Sequence, residues 1–254
     1  MPRASFFKGV LSAGLLLLNA GCAHYYLPAN HLETPESRGT GIGRLEWVNF
    51  GMASDLNAFA KVPAADPETG EQGAQQVQKA FPVYSFGFSF PVGEKMEAGI
   101  RLQPYAPPML RFKYQFAGVP ESEAKKESWA AAVASSAGLL LAQGSTPGEG
   151  ISYYLLDLAV PVGYRAWENH LFSVIPFFNL AGISGVALAA SHPGRVSSSN
   201  VSNSNSLIQY GAGLGYQYTV MAIFLRAELA YLKGSLGESE LGGLFFGIST
   251  GLVL

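Results

Sequence analysis

Nine charged residues stand in segments where they alternate with aliphatic or aromatic neighbours: Arg44, Glu46, Arg101, Arg111, Lys113, Asp157, Arg165, Arg226 and Glu228. A period of two is the period of a β-strand, so each charge shares a face with the small or polar residues two positions away. Six of the nine are basic. Gathered on the inner face of a closed sheet, such a set has two chemistries open to it. The groups pair with one another as a polar plug, or the basic excess receives an anionic ligand.

Catalysis needs a nucleophile, a base and a group that orients it. Only His170 and His192 fall in the alternating region; His170 lies beside Ser173 in a short turn, and His192 in a polar loop far from Asp66 and Glu149. His24 and His31 lie on a proline-containing segment with no cysteine or carboxylate at a metal-ligand spacing. No glycine loop of the phosphate-binding kind is present. No basic run provides the clustered positive face that nucleic acid requires. The sequence therefore assigns no catalytic residue, no metal and no cofactor.

The elements that must carry the nine charges are strands. The clearest is the hairpin over 207–232, with Ile208, Tyr210, Ala212, Leu214, Tyr216 and Tyr218 on one face and Gln209, Gly211, Gly213, Gly215 and Gln217 on the other. Three glycines inside a helix would each cost about 1 kcal/mol relative to alanine, and no helical period is present. Phe81–Val92 alternates similarly, as do 96–103, 110–116, 151–165, 171–180 and 244–254, while 41–59 is read as a first, bent strand. Trp129–Ala142 is rich in alanine, which fits either a strand or a helix. Counted as a strand, it brings the total to ten. Pro176 predicts a bulge or an exposed edge. Polar loops are expected over 61–80, 104–108, 143–150, 185–206 and 234–243, with short turns at 93–95, 166–170 and 219–222 and a longer charged one at 117–128.

The chain has 254 residues, with 30 glycines, 12 tyrosines, 16 phenylalanines and only 13% charged residues. No apolar run reaches the roughly 20 residues of a membrane helix. Spread over alternating segments, the hydrophobicity fits an all-β, antiparallel, up-and-down transmembrane barrel over 40–254. An eleven-residue strand extends about 36 Å and, tilted near 45°, covers an apolar band of about 25 Å. This pattern resembles that of the small outer-membrane barrels of Gram-negative bacteria. Residues 246–254 are similar to the C-terminal assembly strand of that class, departing from it in ending on Leu254 rather than an aromatic residue.

The first 21 residues carry Arg3 and Lys8, then an apolar run ending in four leucines, and read as a secretory signal. Asn19-Ala20-Gly21-Cys22 follows and resembles a bacterial lipobox, with Asn19 where an apolar residue is usual. The resemblance implies cleavage before Cys22, the only cysteine, and lipidation of its thiol and new amino group. Ala23 in place of aspartate implies export to the outer membrane. Without Arg3 and Lys8 the mature chain has 14 basic and 18 acidic residues, a formal charge of −4. Residues 22–39, with Pro28 and Pro35, are expected to form a flexible lipidated tether.

Long and short connections alternate, which places both termini in the periplasm if the class pattern holds. Four functional readings remain at this stage. The first is a structural or surface-interaction protein with a plugged interior, meeting a partner through 61–80 and 185–206. The second is a barrel transporting small solutes or an anionic ligand. A third is an outer-membrane enzyme, and a fourth is a soluble periplasmic barrel with its apolar faces turned inward.

Overall fold

The computed structural model describes residues 32–54, 62–65, 72–75, 83–103, 107–143, 150–186, 205–236 and 239–254, and every element among them is a strand. In chain order these are β1 (Arg44–Ser54), β2 (Val62–Ala65), β3 (Gln72–Gln75), β4 (Val83–Gly93), β5 (Met96–Leu102), β6 (Met109–Ala117) and β7 (Ser128–Gln143). They continue as β8 (Gly150–Ala159), β9 (Val162–Trp167), β10 (His170–Val186), β11 (Asn205–Val220), β12 (Ile223–Leu236) and β13 (Ser239–Val253). The principal sheet runs β11-β12-β13-β1-β4-β5-β6-β7-β8-β10, and the pairing of β10 with β11 closes it. A closed ring leaves no unpaired edge.

Strands β8 and β9 are one stave. Ala134 faces Ala159 and Ala131 faces Val162 across β7, while Phe177 faces Ala159 and Val174 faces Val162 across β10, so the register runs through unbroken on both sides. The ladder thins at Val160-Pro161, where the register sets Val160 against Pro176 and Pro161 against Ile175, because neither proline has an N–H to donate; Val160 N–H still donates to the Pro176 carbonyl at 2.9 Å. Counted this way the barrel has ten staves, all antiparallel to their neighbours. Pro176 is thus neither at an edge nor in a bulge: it pairs with Ala212 in continuous register with β11. Trp129–Ala142 falls within the strand β7.

Side chains sort by the expected period. On β6, Leu110, Phe112, Tyr114 and Phe116 face outward and are exposed, whereas Met109, Lys113 and Gln115 are buried in the interior. On β12, Ile223, Leu225, Leu229 and Tyr231 face outward, and Phe224, Arg226, Glu228, Ala230 and Leu232 inward. This overturns the soluble arrangement, which requires the greasy faces inside and Arg111 and Lys113 in water. An apolar exterior around a charged interior needs lipid, not water, on its outside.

Several connections are shorter than the sequence suggests. β12 pairs with β13 out to Leu236 and Ser239, β10 pairs with β8 out to Val186, and β11 pairs with β10 from Asn205, so the loops expected at 234–243 and 185–206 begin later and end earlier. Within 61–80, Val62–Ala65 pairs with Gln72–Gln75 as a small separate hairpin. Turns at Glu94-Lys95, Glu168-Asn169 and Met221-Ala222 are tight, and they share one end of the barrel with the 118–127 turn and Leu254.

Candidate functional site: a charged lumen filled by the chain's own segment

All nine sequence-selected charges lie in the barrel, on staves that bring them inward by the same alternation. Arg44, Glu46, Arg101, Lys113, Asp157, Arg165, Arg226 and Glu228 are buried, and the Arg111 side chain is only 10% exposed. Cys22 and the loop residues Asp66, Glu149 and His192 lie outside the described residues, as do His24 and His31.

Glu46 is the hub of the strand-borne charges. Its carboxylate accepts from Arg226 at 2.6 Å, Arg101 at 3.1 Å and Arg111 at 3.4 Å. Glu97, opposite Lys113 in the β5–β6 register, pairs with Lys113 at 3.0 Å and lies 3.7 Å from Arg44. Asp157 stands apart from this hub, across the β8–β10 ladder from Asn179, whose amide, oriented with its nitrogen toward the carboxylate, donates to it at 3.3 Å.

The remaining counter-charges come from outside the strands. Residues 32–37 are buried inside the barrel, which revises the reading of 22–39 as a free tether for the described part of that segment. Glu33 pairs with Arg111 and lies 4.0 Å from Lys113, and Glu36 accepts from both Nε and Nη2 of Arg165. The backbone is held as well. Leu32 N–H donates to Glu228, Arg226 donates to the Leu32 carbonyl at 3.3 Å, and Lys113 donates to the Glu36 carbonyl at 2.9 Å. Ser37 donates from its N–H and its hydroxyl to Gln115, at 2.7 and 2.9 Å.

The 118–127 turn supplies one more acid. Its Glu121 folds into the mouth of the lumen, accepts from Arg44 at 2.6 Å and from Gln217 at 3.1 Å, and lies 4.0 Å from Arg165. Burial would raise the Glu121 pKa, but Arg44, with Arg226 and Arg165 behind it, outweighs that and holds it down at about 2. Gly118, with φ of +83°, lets the turn leave β6, since a Cβ there would strike the Trp129 carbonyl.

The basic excess read from the sequence is therefore answered within the chain. Glu97 was visible on the polar face of its strand but not among the nine selected residues. Glu33, Glu36 and Glu121 carried no strand periodicity, so alternation gave no signal for them. Beyond Leu32, toward the long-loop end, the interior holds an apolar cluster of Ala159, Ile175, Phe177, Ala230, Leu232 and Phe245. A Cβ placed on Gly247 would lie 2.7 Å from the Phe245 ring and 3.4 Å from Leu32, so Leu32 reaches that layer.

His170 and Ser173 do not form a catalytic pair. Ser173 points into the lumen, whereas His170 is on the outer face with Phe172, its Nδ1 2.8 Å from the Tyr216 hydroxyl and its ring beside Trp167 and Tyr218. Aromatic residues at this end of the outer face suit a membrane interface. Among the described residues no group of three His, Cys, Asp or Glu side chains is placed to hold a metal.

No family model matches the chain, and no curated protein matches it. Among solved structures it is similar to outer membrane phospholipase A from Escherichia coli, at 13% identity over 87% of this chain and 98% of that one, with a TM-score of 0.26. It is also similar to the Salmonella typhi outer membrane phospholipase dimer with bound calcium, at 12% identity over 94% of this chain and 96% of that one, with a TM-score of 0.27. The activity named in those titles belongs to those proteins.

Proposed function

We propose that the chain is a lipid-anchored outer-membrane barrel, closed by its own N-terminal segment, with a structural or surface-interaction role. The observation that carries this reading is the burial of residues 32–37 among Arg111, Lys113, Arg165 and Arg226. An interior whose charges are satisfied by the chain itself, with an apolar layer behind them, has no open water path for solute transport. In this reading Cys22 bears the lipid, the short-turn end faces the periplasm, and any partner is met through 61–80 and 185–206. The ten residues that lead from Cys22 to Leu32 bridge at most about 36 Å when extended, enough to lead out of a barrel mouth.

Membrane fractionation with carbonate washing, gel mobility with and without boiling, and planar-bilayer recording test the reading together. An outer-membrane protein that shifts on heating and carries no steady current agrees with it. Release by carbonate contradicts the integral barrel, and a steady current contradicts the closed lumen. Loss of membrane retention in Cys22→Ser, with no heat shift, would leave only the anchor.

A further inference from the structure

Residues 32–38 lie in the lumen as a peptide lies in a receptor. Six main-chain groups are recognised, at Leu32 N–H, the Leu32 carbonyl, the Glu36 carbonyl, Ser37 N–H, the Ser37 carbonyl and Arg38 N–H. Main-chain contacts hold a peptide whatever its sequence, and side-chain subsites then choose among sequences. Two subsites are present, one for Glu33 at Arg111 and one for Glu36 at Arg165, so the pair reads carboxylates three residues apart. The segment joins β1 through Gly39, Gly41 and Gly43, whose φ angles of +76°, +110° and +149° make the reversal into the barrel. Glycine is the residue whose backbone regains most freedom on release, so this joint is also a hinge. An apolar cluster lies beyond Leu32 on the long-loop side, and the segment joins β1 at the short-turn mouth.

The geometry points to an exchangeable acidic-peptide site: the short-turn half of the lumen binds a peptide bent between carboxylates at positions i and i+3, and residues 32–38 are its resident ligand. This rests on the reading of the barrel as closed by that segment. The resident copy is present at an effective concentration on the order of millimolar, so a peptide in solution competes only in excess over that concentration or when the resident copy is weakened. Removing one member of a buried ion pair weakens such a contact roughly 10²–10⁴-fold.

The test uses full-length protein in detergent and a peptide of sequence Leu-Glu-Thr-Pro-Glu-Ser-Arg, acetylated at its N-terminus and dye-labelled at its C-terminus. Glu33→Gln/Glu36→Gln is expected to bind it with micromolar affinity by anisotropy, and the parent at least about 100-fold more weakly. The same peptide with glutamine at both glutamate positions should also lose about 100-fold. A double variant that still shifts on heating but binds no peptide overturns the proposal. Equal competition by glutarate overturns the peptide as the ligand class.

A second arm needs no charge change and covers a double variant that does not fold. Ser37→Cys in the otherwise unaltered chain is labelled with a membrane-impermeant maleimide, with the parent giving any background from Cys22. Excess unlabelled peptide should raise the labelling rate severalfold by capturing the opened lumen, and an unchanged rate overturns exchange. Immediate labelling without peptide, together with a steady current, would instead defeat the closed-lumen reading beneath it.

Discussion

Replacing Glu46 by glutamine removes one negative charge from the centre of three guanidiniums while keeping the side chain's volume. Arg226 at 2.6 Å, Arg101 at 3.1 Å and Arg111 at 3.4 Å all lose their shared anion. Breaking a buried ion pair by removing one partner costs about 3–5 kcal/mol, because the other charge is left without compensation. Other acceptors remain: Arg226 has Gln217 at 2.6 Å, and Arg111 has Glu33. The lower end, about 3 kcal/mol, is therefore expected. With a urea dependence of about 2 kcal/mol per molar, the unfolding midpoint should fall by about 1.5 M. The fraction of protein retaining the unboiled gel mobility after equilibration in urea reads this directly. A midpoint within about 0.3 M of the parent, corresponding to about 0.5 kcal/mol, would refute the hub, since that is what a surface substitution gives.

Three further outcomes follow from the same geometry. Glu121 has a folded pKa of about 2 against an ordinary 4.5, so the stability it contributes is complete above about pH 4.5 and is lost as pH falls toward 2; Glu121→Gln should flatten that part of an acid-unfolding curve. A double-mutant cycle of Glu36→Gln with Arg165→Ala should give a coupling of about 1–3 kcal/mol in urea unfolding, and additivity would mean that the segment's second anchor is not made. Gly43→Ala should lower stability by about 1–3 kcal/mol, read from the same urea midpoints, because φ there is +149° and a Cβ would collide with the Ser89 carbonyl.

The barrel was legible because its signal is local. Alternation at Leu110, Phe112, Tyr114 and Phe116 against Arg111, Lys113 and Gln115 needs no tertiary information, and the same period gives the inward position of every strand-borne charge selected. Periodicity also exposed the basic excess and hence the need for anions. It could not say where those anions come from. Glu33 and Glu36 sit beside Pro35 in an irregular segment with no strand period, where a polar sequence looks solvated, and only the closed barrel shows that their carboxylates meet Arg111 and Arg165. Glu121 was hidden similarly, in a turn that looked exposed because it was charged. Strand ends at Leu236 and Ser239 were missed because glycine-rich sequence mimics a loop while the ladder runs through it.

The most direct test of the central claim, that residues 32–38 fill the barrel, is the accessibility of Ser37 in the folded protein. Ser37 is wholly buried, whereas Met221, in a turn at the same end, is 98% exposed. With Ser37→Cys and Met221→Cys made separately and reconstituted into vesicles open to reagent on both faces, a membrane-impermeant maleimide should label position 221 at once. Position 37 should stay protected until the sample is boiled. Labelling of position 37 at the rate of position 221, with the heat-modifiable band intact, would contradict the account by placing the segment outside the barrel.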